Sequence, residues 1–368
     1  MNEIQIGRAK SARQAFSFDD VSVVPMRRTR DPEDVSLGWK IDAYSFDHPI
    51  VSAPMDSIAS PESVVAIAAA GGLAPLDLEG LWTRYEDPTA AYEQIRTASR
   101  GDENRVLQRV YSEPIKPELI AARVAQLREA GVTVAGALSV QRTLEFHKAL
   151  VDAGVDVFVI RSTTLSAEHV SSKGESLNLK QLIYELDVPV IAGGAATYKA
   201  ALHLMRAGAA GVLVGFGGGA THTTVDVLGL KVPMATAVAD VAAARREYMD
   251  ESGGRYVHVI ADGAMGRSGD IVKAIACGAD AVMVGSPLAR ATDAPGHGRH
   301  WGREAAHSDL PRGHIADFGT VGTLEEILLG PSHVSDGTMN LVGALRRAVA
   351  TCGYSSLKDF QKVEVTVS

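Results

Sequence analysis

"VIADGAMGRSGDIVKAIACGADAVMVGS", residues 259–286, contains the unit from which the fold can be read. An apolar run ends in Asp262-Gly263, a polar turn follows, and an Ala/Ile-rich helix leads to "IACG" (275–278) and a second apolar run, "DAVMVG" (280–285). Short apolar runs flanked by glycine fit buried parallel strands, which carry no polar face. Glycine at the end of the helix suits the left-handed turn into the next strand. Working outward, the pattern recurs: "PIVSA" (49–53), "GLAPL" (72–76), "VTVAGAL" (132–138), "DVFVI" (156–160), "VPVIA" (188–192), "GVLVG" (211–215) and "VHVIA" (257–261) precede or overlap it, with "REAG", "VDAG" and "MRAG" as further helix ends. Eight strand–helix units predict a single (β/α)8 TIM barrel over residues 1–368. The competitor is a doubly wound open sheet, which more naturally has five or six strands and a topological break.

Composition agrees with one large α/β domain. The 368 residues are 46% apolar with 36 glycines and only 5% aromatics, a chain of small side chains suited to close helix–sheet packing. A net charge of −8 argues against nucleic acid as the main partner, since that needs an excess of Lys and Arg. Two cysteines, Cys277 and Cys352, make neither a disulfide framework nor a cysteine metal cluster. The N-terminus lacks an apolar signal core, and the longest uncharged stretch, 207–225, is too rich in Gly and Thr to span a membrane. A cytoplasmic protein is expected.

Two segments exceed simple connections. Residues 77–131 include "LWTRYEDPTAAYEQIR" and "EPIKPELIAARVAQLREAG", a helical insertion after strand two. Residues 287–368 contain "ATDAPGHGRHWGREAAHSDLPRGH" (291–314), without sustained periodicity, and read as a long mobile loop, flap-like over 287–330. The basic "RAKSARQ" arm near the N-terminus reads as packing on a neighbouring subunit.

In a barrel the active site lies at the C-terminal strand ends, with phosphate often held by the loops after strands seven and eight. "GSPLAR" (285–290) offers Gly285 for close backbone approach, Ser286 as a helix cap and Pro287 as first helical residue. Asp262 is placed to accept from two ribose hydroxyls; an ordinary Asp-Gly turn is its bland reading. After strand six comes "GFGGGATHTT" (215–224), whose glycines can take conformations closed to other residues and turn their carbonyls to a monovalent cation. The loop ends in His222-Thr223-Thr224, polar groups aimed where a substrate would lie.

These motifs, with "FSFDDVSVVP" (16–25), "PIVSAPMDS" (49–57), "GVDVFVI" (154–160) and "VPVIAGGAAT" (188–197) in the same order, resemble the IMP dehydrogenase/GMP reductase family, and most closely its compact bacterial "IMP dehydrogenase-related" branch. The resemblance covers most of the barrel. Members of that branch lack the family's inserted CBS domains and carry "LEGLWTRYEDP" (78–88) in their place. It implies that Asp262 and the Gly263-Ala264 turn hold the ribose side of a purine mononucleotide (IMP, GMP or XMP). Gly285 and Ser286 would hold its phosphate, and Met55 would lie under the base. It implies Gly217 and Gly219 as K+-binding carbonyls, Thr224 as the threonine two residues past the nucleophile, NAD or NADP as cofactor, and a homotetramer.

The departures fall on chemistry. The family's nucleophilic cysteine is His222 here, its phosphate-loop serine is Ala220, the last glycine of its "DGG" turn is Ala264, and the nicotinamide-side aspartate is Arg161. Imidazole is a poor substitute for a thiolate that must bond to the purine and leave again. Losing a nucleophile from a concerted site costs on the order of 10^4- to 10^6-fold. The flap Arg-Tyr pair of the dehydrogenase is absent; Arg303, His307, Arg312 and His314 stand in that region without an assignable role. The expectation is therefore a purine-nucleotide-binding barrel with weak or no IMP dehydrogenase turnover, suited to be a regulatory partner of the true dehydrogenase. The alternative is an active purine-nucleotide oxidoreductase with altered mechanism. A third reading has His222 as general base for unrelated chemistry.

Overall fold

The computed structural model describes residues 3–166, 178–216 and 218–368. All eight expected runs are strands of one parallel sheet: β1 (Ile50–Ser52), β2 (Pro75–Asp77), β3 (Ala135–Ser139), β4 (Val157–Arg161), β5 (Val190–Ala195), β6 (Gly211–Val214), β7 (His258–Asp262) and β8 (Ala281–Val284). From β2 onward each pairs with its sequence neighbour, and β8 pairs with β1. The ring closes between β1 and the start of β2 through a Val51–Leu73 bridge, in which the Ser52 amide donates to Leu73 oxygen at 2.9 Å. The open-sheet competitor is excluded.

Strand residues such as Val157, Phe158, Val159 and Ile160 are wholly buried. That burial on both faces is why the strands read as unbroken apolar runs rather than alternating ones. Gly208 and Gly278, at the ends of "MRAG" and "IACG", sit at φ +107 and +114, where a side chain would be strained. At the N-terminal end of the barrel a short hairpin, Trp39–Ile41 with Tyr44–Phe46, closes the bottom. Trp39 stacks on Phe46, and Ile41 reaches toward the β6 backbone at Gly211.

Helix α1 (Pro61–Ala69) joins β1 to β2. The insertion after β2 is helical: α2 (Thr89–Arg96), α3 (Glu103–Val110) and α4 (Pro117–Glu129). Helix α4 takes the ordinary barrel position. Helices α2 and α3 instead build a separate apolar cluster whose other half comes from the far end of the chain: Leu81, Tyr92, Ile95 and Leu107 pack with Trp301, Ala305 and Ile315.

Residues 287–368 therefore differ from the expected unpatterned loop. Arg299–His300 pairs with Ala316–Asp317, three helices follow (Leu324–Leu329, Leu341–Thr351 and Leu357–Phe360), and Val365–Val367 pairs antiparallel with Val21–Val23. The 291–314 stretch lacks periodicity because its buried residues pack singly against distant elements, Trp301 at 1% exposed, whereas Leu341–Thr351 buries Leu341, Val342, Leu345 and Val349 at helical spacing. The N-terminal arm is an exposed hairpin, Glu3–Gly7 with Lys10–Arg13. Its base returns to its own chain through an Arg13–Asp240 ion pair at 2.7 Å. No helix among the described residues is long and apolar enough to cross a membrane.

Candidate functional site

The C-terminal strand ends open into a cleft of two adjoining cavities, about 550 and 630 Å³, whose shared wall includes Arg161, Phe216, His222 and Asp262. The smaller cavity collects residues from distant stretches that the sequence singled out: Met55, Gly219, Asp262, Gly263, Ala264, Gly285 and Ser286 all line it. Ala220, in the same wall, offers no hydroxyl. Thr224 is buried beside the cleft, accepting from Arg312 Nη1 at 3.4 Å. Gly217 lies outside the described residues, and the Gly219 carbonyl accepts from the His222 amide at 3.1 Å.

The loop after β8 differs by one residue from expectation. Gly285, not Ser286, is the cap; Ser286 is the first helical residue of a four-residue turn, Ser286–Ala289, so its hydroxyl does not cap that turn. Against this loop lies His300, which sequence reasoning missed. Its Nδ1 shares a hydrogen bond with Ser57 Oγ at 2.7 Å, and a Cβ on Gly285 would sit 3.3 Å from its Nε2. Burial holds its pKa down to about 3, so the ring is neutral at physiological pH.

Ala264 also departs from expectation. Its N–H donates to the Gly218 carbonyl at 3.1 Å, and its φ of +59 places a methyl where glycine is at ease. The preceding Asp262 is half-buried and lines both cavities. Burial raises its pKa, with the Arg161 and His222 charges pulling the other way.

His222 stands where the loop meets the C-terminal segment. A backbone bridge joins it to Gly313, with the His314 amide donating to Thr221 oxygen and the Thr223 amide to Arg312 oxygen. Glu304 reaches toward its ring, Oε2 to Nδ1 at 4.0 Å, and this buried oxygen has no hydrogen-bond partner. Burial pushes the Glu304 carboxyl upward, but the charges of His222, Arg161 and Arg303 prevail and hold it at about 2. Gly302 allows this approach: a Cβ there would meet Glu304 Oε2 at 2.9 Å and His222 Cε1 at 3.6 Å.

The larger cavity reveals where the reversed charge at Arg161 goes. Arg161 Nη2 donates to Asp77 Oδ2 at 3.2 Å, and Arg303 Nε lies 3.0 Å from the same oxygen as an ion pair without hydrogen-bond geometry. Arg303 also pairs with Glu79, whose other oxygen accepts from the Ser139 amide at the start of the helix after β3. Asp77 and Glu79, 2% and 6% exposed, come from the end of β2 and the residues just past it. Nearby, Trp301 Nε1 donates to Tyr111 Oη at 2.9 Å, and Tyr111 in turn donates to Asp56 at 2.6 Å. None of these partners was legible as functional; Arg303 and Arg312 were visible only as unassigned charges. Neither cysteine lines the cleft, and burial raises the Cys277 thiol to about 11. No metal-binding cluster of His, Cys, Asp and Glu occurs among the described residues.

Fold and site define a class: a (β/α)8 barrel with its ligand cleft at the strand C-termini, floored by a glycine-rich loop after β6. The family follows from comparison. The model of the IMP dehydrogenase / GMP reductase domain matches residues 15–306, and the chain belongs to that family. It is 50% identical to an uncharacterized oxidoreductase of Mycolicibacterium smegmatis and 49% identical to one of Mycobacterium tuberculosis, over 99% of each chain. The inosine-5'-monophosphate dehydrogenase of Methanocaldococcus jannaschii is 27% identical, over 95% of this chain and 92% of its own. In structure the chain is similar to an IMP dehydrogenase/GMP reductase-like protein from Corynebacterium glutamicum, with TM-score 0.95, 49% identity and coverage of 100% and 98%.

Proposed function

We propose that this chain is a purine-mononucleotide-binding barrel with weak or no IMP dehydrogenase turnover. The observation that carries the reading is the environment of His222. The residue at the nucleophile position is an imidazole, which would have to bond to the purine and then leave again, and neither cysteine lines the cleft to act in its place. The smaller cavity retains what a mononucleotide needs: Asp262 for the sugar, Gly285 and Ser286 for the phosphate, neutral His300 behind them and Met55 beside the base position.

The cofactor half fits poorly. An oxidised nicotinamide ring carries positive charge, and it would meet Arg161, with Arg303 and Arg312 in the same wall. Arg161 and Arg303 are paired with Asp77 and Glu79, so among the described residues the unpaired charge on that side is Arg312, which opposes the binding of the oxidised cofactor. The Glu304–His222 pair favours one second reading, an active family member with an altered mechanism in which His222 moves a proton without bonding to the base.

Stoichiometric protein incubated for hours with IMP plus NAD, and separately with GMP plus NADPH, tests both readings by chromatography. No XMP from the first mixture and no IMP from the second, with nucleotide binding seen by calorimetry, is the expected result. Product that disappears in His222→Ala overturns the main reading.

A further inference from the structure

We propose that the larger cavity is an anion site, built to take a phosphate or carboxylate group on Arg312 and the Arg161-Ser162-Thr163 turn after β4. Four arginines (Arg84, Arg161, Arg303 and Arg312) and two carboxylates (Asp262 and Glu304) line this 630 Å³ space. Three of the four cations are already committed. Arg84 donates to the carbonyls of Glu79, Tyr111 and Glu113, and Arg303 is shared between Asp77 and Glu79. Arg161 spends one nitrogen on Asp77. Arg312 has no carboxylate partner among the described residues.

Arg312 is nonetheless held firmly. Its amide donates to the Glu304 backbone carbonyl at 3.0 Å and its carbonyl accepts from the Thr223 amide. Its guanidinium donates to Thr163 Oγ1 at 2.9 Å and to Thr224 Oγ1 at 3.4 Å. Both partners are neutral hydroxyls, which accept from Arg312 and keep their own hydrogens to donate onward. The result is a positioned guanidinium with spare N–H groups, flanked in the cavity by the Thr163 hydroxyl, while the wholly buried Thr224 only holds it in place. Ser162 and Gln141 face the same space, and the buried Nε of Arg161 is without a hydrogen-bond partner. A fixed cation ringed by donors, with its nearest acceptors uncharged, is a receptor for an anion. The carboxylates in the cavity do not supply it, because Glu304 and Asp262 lie in the fields of His222 and Arg161.

This anion site does not require a mononucleotide at Gly285-Ser286, and one experiment separates the two. Inorganic phosphate is titrated calorimetrically into the full chain and into Arg312→Gln, Ser162→Asp and Gly285→Asp. The expected result is two phosphate sites in wild type. One is weakened about tenfold or more in R312Q and in S162D, which leaves Arg312 in place but fills the turn with like charge; the other is lost in G285D. Thermal melts without ligand identify any variant that fails to fold. R312K, which keeps the charge without the fork, should lie between wild type and R312Q.

Unchanged phosphate titrations in both R312Q and S162D overturn the inference. Loss in R312Q with no change in G285D supports it while counting against the proposed function. Guanosine 3',5'-bisphosphate then identifies the source. If it binds about tenfold tighter than GMP in wild type but not in R312Q, the anion is a second phosphate of one ligand; equal affinities, with phosphate binding still lost in R312Q, assign it to a separate small anion.

Discussion

Replacing Arg303 by methionine leaves Asp77 and Glu79 buried without their shared cation. Removing one member of a buried pair costs about 3–5 kcal/mol, chiefly because the other is left charged and unpaired. Here the low end applies. Asp77 keeps Arg161 at 3.2 Å, and Glu79 keeps the Ser139 amide. R303M is therefore expected to be about 3 kcal/mol less stable than wild type at pH 8.

The deficit should depend on pH in one direction. In the wild type, burial raises the Glu79 pKa, but Arg303 and the Ser139 hydrogen bonds outweigh it and the net shift is downward from 4.5. A depressed carboxylate contributes stability that is present above its unfolded pKa and lost only as pH falls through the folded one. Between pH 8 and 5.5 that contribution is constant. Without Arg303, burial dominates and Glu79 takes up a proton in the folded state before the unfolded one, so the variant gains stability as pH falls. Only the part of the upward shift that lies above the pH of measurement is recovered, about 1.4 kcal/mol for each unit by which the folded pKa exceeds that pH, so the gap should narrow progressively as pH falls to 5.5. Asp56, which Arg303 also holds down, moves in the same sense. Urea unfolding at pH 8, 7, 6 and 5.5 reads this directly. A deficit under about 1 kcal/mol at pH 8, or one that does not change with pH, refutes the buried-pair reasoning.

Four further outcomes are expected. Ala264→Gly removes a methyl from φ +59 and should stabilise the protein by about 1 kcal/mol, seen as a higher urea midpoint. Gly285→Val places a side chain toward His300 Nε2, 3.3 Å from where its Cβ would lie, and should weaken IMP binding by about tenfold or more in calorimetry. His222→Cys supplied with IMP and NAD should show no NADH absorbance, because Arg161 and its neighbours still occupy the cofactor side. Asp56 is raised to about 7, first by burial and then by Asp77. Its folded-state penalty therefore builds as pH rises from about 4 through 7, and Asp56→Asn should flatten the stability profile between about pH 5 and 8.

The barrel was legible because a buried parallel strand leaves a local mark: four or five apolar residues bounded by glycine, as at "DVFVI" and "GVLVG". The smaller cavity was legible for a related reason, since Asp262, Gly285 and Ser286 sit at the tips of such strands. What was missed depends on pairs distant in sequence. Arg161 stood out as a reversed charge, but its partner Asp77 is 84 residues away, and at the end of "GLAPLD" an aspartate looks like any strand terminus. Trp301 and Tyr111 are 190 residues apart. Glu304 lies in a stretch with neither a 3.6- nor a 2-residue period, because that stretch is shaped by what it covers and not by its own backbone repeat.

Those distant pairs change how the altered family positions should be weighed. Taken singly, His222 and Arg161 are two departures from the expected family pattern, and reverting one should recover some of the expected chemistry. In the structure they belong to one charge system: Arg161 is balanced by Asp77, Asp77 also holds Arg303, Arg303 is shared with Glu79, and Glu304 answers to His222, Arg161 and Arg303 together. Residues in one ion-pair network are energetically coupled, so single reversions are expected to be strongly non-additive. A cysteine at 222 would remove the largest charge that holds the buried Glu304 carboxyl down, so the carboxyl and the new thiol would compete to ionise and each would raise the other's pKa. An aspartate at 161 would place a third carboxylate against Asp77 and Glu79. Each reversion is thus opposed by partners that remain, which is the physical reason to treat this half of the cleft as rebuilt for another ligand rather than as a dehydrogenase site lacking one residue.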